Sequence, residues 1–120
     1  MIKIDVQTKY VDGQSEPDKD RYVFAYTITI TNELEVACQL LSRHWIITDA
    51  SGDIEEVEGE GVVGQQPSLQ PGESFQYTSG AVLKTPVGSM HGEYHFEDVN
   101  GHSFSAPIPA FSLSVPNLVH

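Results

Sequence analysis

Residues 22–31 read YVFAYTITIT, and this stretch decides the fold. Tyr22, Phe24, Tyr26, Ile28 and Ile30 fall on one side of an extended chain, and Val23, Ala25, Thr27, Thr29 and Thr31 on the other. Successive side chains alternate across a strand, so period two with an apolar face and a threonine face predicts a half-solvated β-strand. The β-branched residues reinforce that preference.

Period two extends outward from this segment in both directions. Upstream, VDGQSEPDKD (11–20) is a polar loop, preceded by Ile2, Ile4 and Val6 alternating with Lys3, Asp5 and Gln7. Downstream, Asn32–Glu35 makes a polar break. Residues 36–49 then resume strand character through Leu40, Leu41, Trp45, Ile46 and Ile47. Their alternation slips at Leu40–Leu41, which predicts a β-bulge. DASGD (49–53) reads as a turn into Ile54–Val57. Gln70–Pro71–Gly72 precedes a strand at Ser74–Leu83, and Thr85–Gly88 is another turn. Met90, Gly92, Tyr94 and Phe96 then alternate with His91, Glu93, His95 and Glu97. Asp98–Gly101 carries Asn-Gly, a hairpin signal. Residues 102–115 form the last strand region, where Pro107 and Pro109 demand an edge or a bend. No window supports a helix. The pattern predicts an all-β, two-sheet antiparallel sandwich of roughly seven to eight strands, in one domain spanning 1–120.

Composition narrows the function classes. Six Lys and Arg face 17 Asp and Glu, for a formal net charge of −11. Such a field repels phosphate backbones, and the basic residues are scattered, so direct nucleic-acid binding is not expected. No apolar run reaches the length of a membrane span. The first residues, MIKIDVQTKY, lack the apolar core of a secretion signal. Cys38 is the single cysteine, so no internal disulfide can form. A cytoplasmic setting is the expectation, and no cofactor is implied.

The segment EGEGVVGQQP (58–67) sets Gly59, Gly61 and Gly64 in the G-x-G-x-x-G spacing of dinucleotide sites. Those sites need a helix immediately after the glycines, whose N-terminus holds the pyrophosphate. Here Pro67, Pro71 and Gly72 follow, which deny that helix. Glu58 and Glu60 add negative charge where phosphates would lie. Only a nest of backbone N–H groups would remain for a phosphate. The structural reading is a tight strand connection.

Other candidates arise from side-chain chemistry. His91, Glu93 and His95 share one strand face and offer imidazole and carboxylate ligands for a divalent ion. His102, just beyond the Asn100–Gly101 turn, is placed to join them across the hairpin. Polar residues opposite an apolar face need no further reason, however. Cys38, in an apolar run, reads as a buried structural thiol. Glu55 and Glu56 point to opposite faces and form no acid–base pair. There is no G-x-S-x-G elbow. Arg43, His44 and Trp45 are residue types that anchor interfaces, although a single Trp in a sandwich is commonly core.

Four blocks together carry a resemblance: SRHWIITDASG (42–52), GEGVVGQQPSLQPGESFQYTSG (59–80), LKTPVGSMHGEYHF (83–96) and IPAFSLSVP (108–116). In order and spacing they resemble the ApaG family, also called CorD. The resemblance implies an Ig-like or fibronectin type III-like β-sandwich. It also implies a small bacterial protein associated with cobalt resistance and magnesium efflux. Related domains in eukaryotic F-box proteins and in a DNA polymerase delta-interacting protein are regarded as protein-interaction modules. No family catalytic residue carries over. The expected function is therefore non-enzymatic binding of an unidentified protein partner. The expected surface joins Arg43, His44 and Trp45, the glycines Gly59, Gly61 and Gly64, and Thr78, Ser79 and Gly80. The alternative is a divalent-cation-binding protein using His91, Glu93, His95 and His102.

Overall fold

The computed structural model describes residues 1–116. Eight strands run through them: β1 (Ile2–Tyr10), β2 (Tyr22–Asn32), β3 (Cys38–Asp49), β4 (Ile54–Glu60), β5 (Ser68–Leu69), β6 (Ser74–Leu83), β7 (Val87–Asp98) and β8 (Ser103–Ser114). The first sheet has the order β1-β2-β6. The second has the order β4-β3-β7-β8, with β5 also paired to β3. All named pairings are antiparallel. Among the described residues, the only helical segments are two 3-10 turns, Asp12–Gln14 and Pro17–Lys19. Among the described residues, no helix is long and apolar enough to cross a membrane.

The YVFAYTITIT alternation holds. Phe24, Tyr26, Ile28 and Ile30 are buried, while Thr27, Thr29 and Thr31 are half-exposed on the other face. Val23 departs from the pattern, being buried on the face expected to be solvated. The 11–20 loop explains it. Val11 N–H donates to the Val23 carbonyl (2.8 Å), and Val23 N–H donates to Ser15 Oγ (2.9 Å), so the loop covers the start of β2.

The two inner faces meet on an aromatic centre. Trp45 packs on Tyr26 at 5.5 Å between ring centroids and edge-on against Phe111 at 5.9 Å and Tyr94 at 6.2 Å. Across the same interior the hydroxyls of Tyr77 (β6) and Tyr94 (β7) hydrogen-bond, joining the sheets by a polar contact. Burial pushes both phenols above their ordinary range.

Two bulges let the sheet keep its apolar face inward. One lies at Leu41, where the β3–β7 register shifts between Leu40 and Ser42. Inward residues are even-numbered before it (Cys38, Leu40) and odd-numbered after it (Trp45). The other lies on β8, where Pro109 and Ala110 oppose His91 and the register shifts between Met90 and Gly92. Both prolines of β8 sit on an outer strand of the sheet, the kind of strand that tolerates proline.

The polar break at Asn32–Glu35 conceals a structural residue. Asn32 is fully buried. Its Nδ2 donates to the carbonyls of Val36 (2.9 Å) and Leu69 (3.0 Å), and its Oδ1 accepts from Leu34 N–H (2.9 Å). All the bonds that a buried amide needs are drawn from the backbone of the following loop and of β5.

Candidate functional site

The glycine segment connects β4 to β5 along the flank of β3. The Leu41 bulge fixes it there. Freed from the ladder, the Leu41 carbonyl accepts from Gly61 N–H (2.8 Å) and from Gln66 Nε2 (2.9 Å). At the tip, Val62 and Gln65 exchange two backbone bonds of 2.8 and 2.9 Å. Val63 and Gly64 between them have φ of +43° and +80°. Positive φ at both central positions is the I′ hairpin pattern, which favours Asn or Gly at the first of them. Here a β-branched valine occupies it, and its side chain is 53% exposed. Val62 beside it is fully buried. The loop thus has one apolar foot in the core and one apolar tip in solvent.

Each glycine of the motif meets a different need. Gly61 combines φ +60° with a Gln65 carbonyl only 2.2 Å from where a Cβ would stand. Gly59 lies opposite Arg43 in the β3–β4 register. The space above it holds the Arg43 guanidinium, whose Nη1 donates to the carbonyls of Glu60 (3.1 Å) and Gly61 (2.8 Å). No helix follows the glycines, so the geometry for a pyrophosphate is missing.

Arg43 also looks into a cleft between the sheets. β4 and β6 each pair on one side only, and their free edges face one another there. The cleft measures about 310 Å³ and is lined by Arg43, Trp45, Ser79, Gly80, Val57 and Tyr26, among others. The structure therefore brings Arg43, Trp45, Ser79 and Gly80 to one place, and Gly59 lies against the Arg43 guanidinium. Thr78 points the other way, its Oγ1 2.8 Å from that of Thr27 on the outer face. Trp45 is core, 2% exposed, and its Nε1 has no hydrogen-bond partner among the described residues.

The outer face of the second sheet holds the histidines. His44 lies across from Glu58 on β4 and from Glu93 on β7. Its Nε2 stands 3.4 Å from Glu56 and 3.6 Å from Glu58. Ligand atoms of these three residues all lie within 4.8 Å of one another. His91, Glu93 and His95 do share a face of β7, but strand rise separates His91 from His95 by about 13 Å at the backbone. That is too far for both rings to close on one ion with Glu93. His102 is out of phase with the row. Glu97 pairs with Ser103, so His102 stands across from Asp98, 3.6 Å from its carboxylate. Asp98 is held below the ordinary carboxylate range, chiefly by the His102 backbone N–H. The His44–Glu56–Glu58 grouping depends on the β3–β4 register, which periodicity alone does not give.

One further grouping resembles catalytic machinery. His95 Nδ1 is 3.0 Å from Ser105 Oγ, and its Nε2 is 3.6 Å from Glu93. These residues lie on an open sheet face, where neighbouring backbone N–H groups are spent in the ladder. A nucleophile there has no oxyanion donors and no enclosed site, which acyl transfer requires. Cys38 is buried, and burial pushes its thiol up, away from the reactive thiolate.

The profile of the family described as the ApaG domain matches residues 12–98. Protein ApaG of Azoarcus sp. (strain BH72) is 57% identical over 119 residues, covering 99% of this chain and 94% of that protein. Protein ApaG of Ralstonia nicotianae is also 57% identical, covering 99% and 96%. The crystal structure of a putative ApaA protein from Bordetella pertussis superimposes with a TM-score of 0.95 at 50% identity, over 98% of this chain and 96% of that one.

Proposed function

This chain belongs to the ApaG family, and we propose that it works as a non-enzymatic binding module that docks a protein partner on its glycine loop. Val63 carries the reading. A left-handed conformation costs an L-residue roughly 1–2 kcal/mol, and a β-branched one is an outlier there. Asn or Gly would close the same turn with less strain. An exposed apolar side chain kept in spite of that cost is accounted for by a contact it makes outside the fold. The loop is also anchored at both ends, by the Leu41 carbonyl and by Arg43. A surface so held meets its partner with little ordering cost. The open setting of Ser105, His95 and Glu93 supports a non-enzymatic role.

A photoreactive amino acid placed at position 63 tests the proposal in cells. Position 54 is the control, since Ile54 is 65% exposed and lies about 20 Å away along β4 at strand rise. Discrete protein adducts from position 63 and none of the same from 54 are expected. Identical adduct patterns from the two positions would contradict it.

A second reading has a specific observation behind it. The association with cobalt resistance and magnesium efflux that the resemblance implies calls for a divalent-cation site. His44, Glu56 and Glu58 are the residues arranged for one. One imidazole and two carboxylates suit a transition ion better than Mg²⁺, which prefers oxygen donors alone. Titration with Co²⁺ should move the His44 ring signals at one equivalent, and Glu56→Gln should abolish the response. Ring signals that stay fixed, or that move first at His91, would end this reading.

A further inference from the structure

The cleft between the β4 and β6 edges has a chemistry that the glycine loop does not explain. Among the described residues, Arg43 forms no ion pair, although β4 beside it carries Glu55, Glu56, Glu58 and Glu60. Arg21 shares this lack of an ion pair among them, but Arg43 is the one basic residue that lines the cleft. Only Nη1 is used by the loop carbonyls. Among the described residues nothing bonds to Nε or Nη2, and that side of the fork can take a planar acid in two parallel bonds.

The rest of the cleft fits an apolar body attached to that acid. Val57, Ile47 and Val82 supply its accessible apolar lining, with the buried Trp45, Tyr26 and Met90 behind them. Its volume of about 310 Å³ lies at the lower end of small-molecule sites. On the β6 side Ser79, Gly80 and Ala81 are small, so the strand edge is uncovered and its backbone groups can reach an occupant. Glu55 stands in the same cleft, across from Ile47, which is four positions along β3 from Arg43 on the same face. A single positive charge beside so many carboxylates does not suit a phosphate dianion, which recruits several cations. It suits one carboxylate.

We infer that this cleft binds a carboxylate carried on an apolar group, with Arg43 holding the acid and Trp45 forming the floor. The carboxylate belongs either to a small apolar acid or to the C-terminus of a peptide lying along the β6 edge. The inference rests on reading this end of the sandwich as a recognition surface, though not on the partner being a protein.

Trp45 is the only tryptophan in the chain and sits between the cleft and the aromatic core, so its emission responds to an occupant of the cleft. Titration of the full chain with 3-phenylpropionate, and with the N-acetylated dipeptide of leucine and phenylalanine, should shift that emission saturably. The corresponding amides should do nothing. Arg43→Met, checked for native circular dichroism, should weaken binding at least tenfold. Ser79→Tyr, which fills the mouth without touching Arg43, should do the same if Arg43→Met fails to fold. Tighter binding of the simple acid points to a small molecule, and tighter binding of the dipeptide to a chain terminus. Amides that bind as well as acids, an undiminished Arg43→Met, or no response to either acid overturns the inference. Adducts at position 63 with no acid binding would leave the docking proposal standing and this one fallen. Acid binding without adducts would do the reverse.

Discussion

The Arg43 guanidinium fills the space that a side chain at Gly59 would need: a Cβ there would lie 2.9 Å from both terminal nitrogens. The pair makes the first glycine of the motif a seat for a cation rather than for a phosphate. It also orders the expected costs of substitution. Gly61→Ala should be the most damaging, because the Cβ would meet the Gln65 carbonyl at 2.2 Å and the backbone has positive φ. A loss of about 3 kcal/mol or more is expected from backbone that must shift. Gly64→Ala meets open space and should lose only about 1 kcal/mol, from its left-handed conformation. Gly59→Ala should fall between the two, since a flexible side chain can swing away. Denaturant midpoints of the three variants check the order.

Asn32 yields a second expectation. Asn32→Leu would leave the carbonyls of Val36 and Leu69 and the N–H of Leu34 without partners in a buried place. Each unmet group costs about 1–3 kcal/mol, so a total of about 3 kcal/mol or more is expected. Asn32→Asp should also be harmful, because it removes both donated bonds and buries a charge. Calorimetric melting of the two variants measures this directly.

The Tyr77–Tyr94 pair sets a limit at high pH. Both phenols have folded pKa values raised by burial above the unfolded value of about 10. Their contribution is therefore complete below pH 10 and is lost as pH rises beyond it, because only the unfolded chain then releases the protons. Urea midpoints between pH 8 and 11 should fall steeply above about pH 10. Tyr77→Phe should lose about 1–2 kcal/mol at neutral pH by orphaning the Tyr94 hydroxyl. The double change to Phe should cost less than twice that and flatten the alkaline decline.

The sandwich was legible in the sequence because period two is a local signal. YVFAYTITIT exposed its own inner face, the slip at Leu40–Leu41 marked a real bulge, and Pro107 and Pro109 marked an edge strand. Contacts that depend on register were not legible. The His44–Glu56–Glu58 grouping needs the β3–β4 offset, and the phase of His102 needs the offset of the last hairpin. The 11–20 loop gave no periodic hint that it would cover Val23. Asn32 looked like punctuation, because a polar residue at a strand end is usually solvated, and only the position of β5 makes it core. The glycine motif misleads when read alone, since its spacing is shared with folds in which a helix follows.

The loop tip offers the most direct test of the docking account. Asn tolerates left-handed backbone and is favoured at this position of an I′ turn. Val63→Asn should therefore stabilise the fold by about 1 kcal/mol while removing the apolar contact. The measurement pairs the melting temperature of the variant with the recovery of whichever protein the wild-type chain cross-links through position 63. The account predicts a higher melting temperature together with recovery reduced at least tenfold. A more stable variant that recovers the partner undiminished would contradict it.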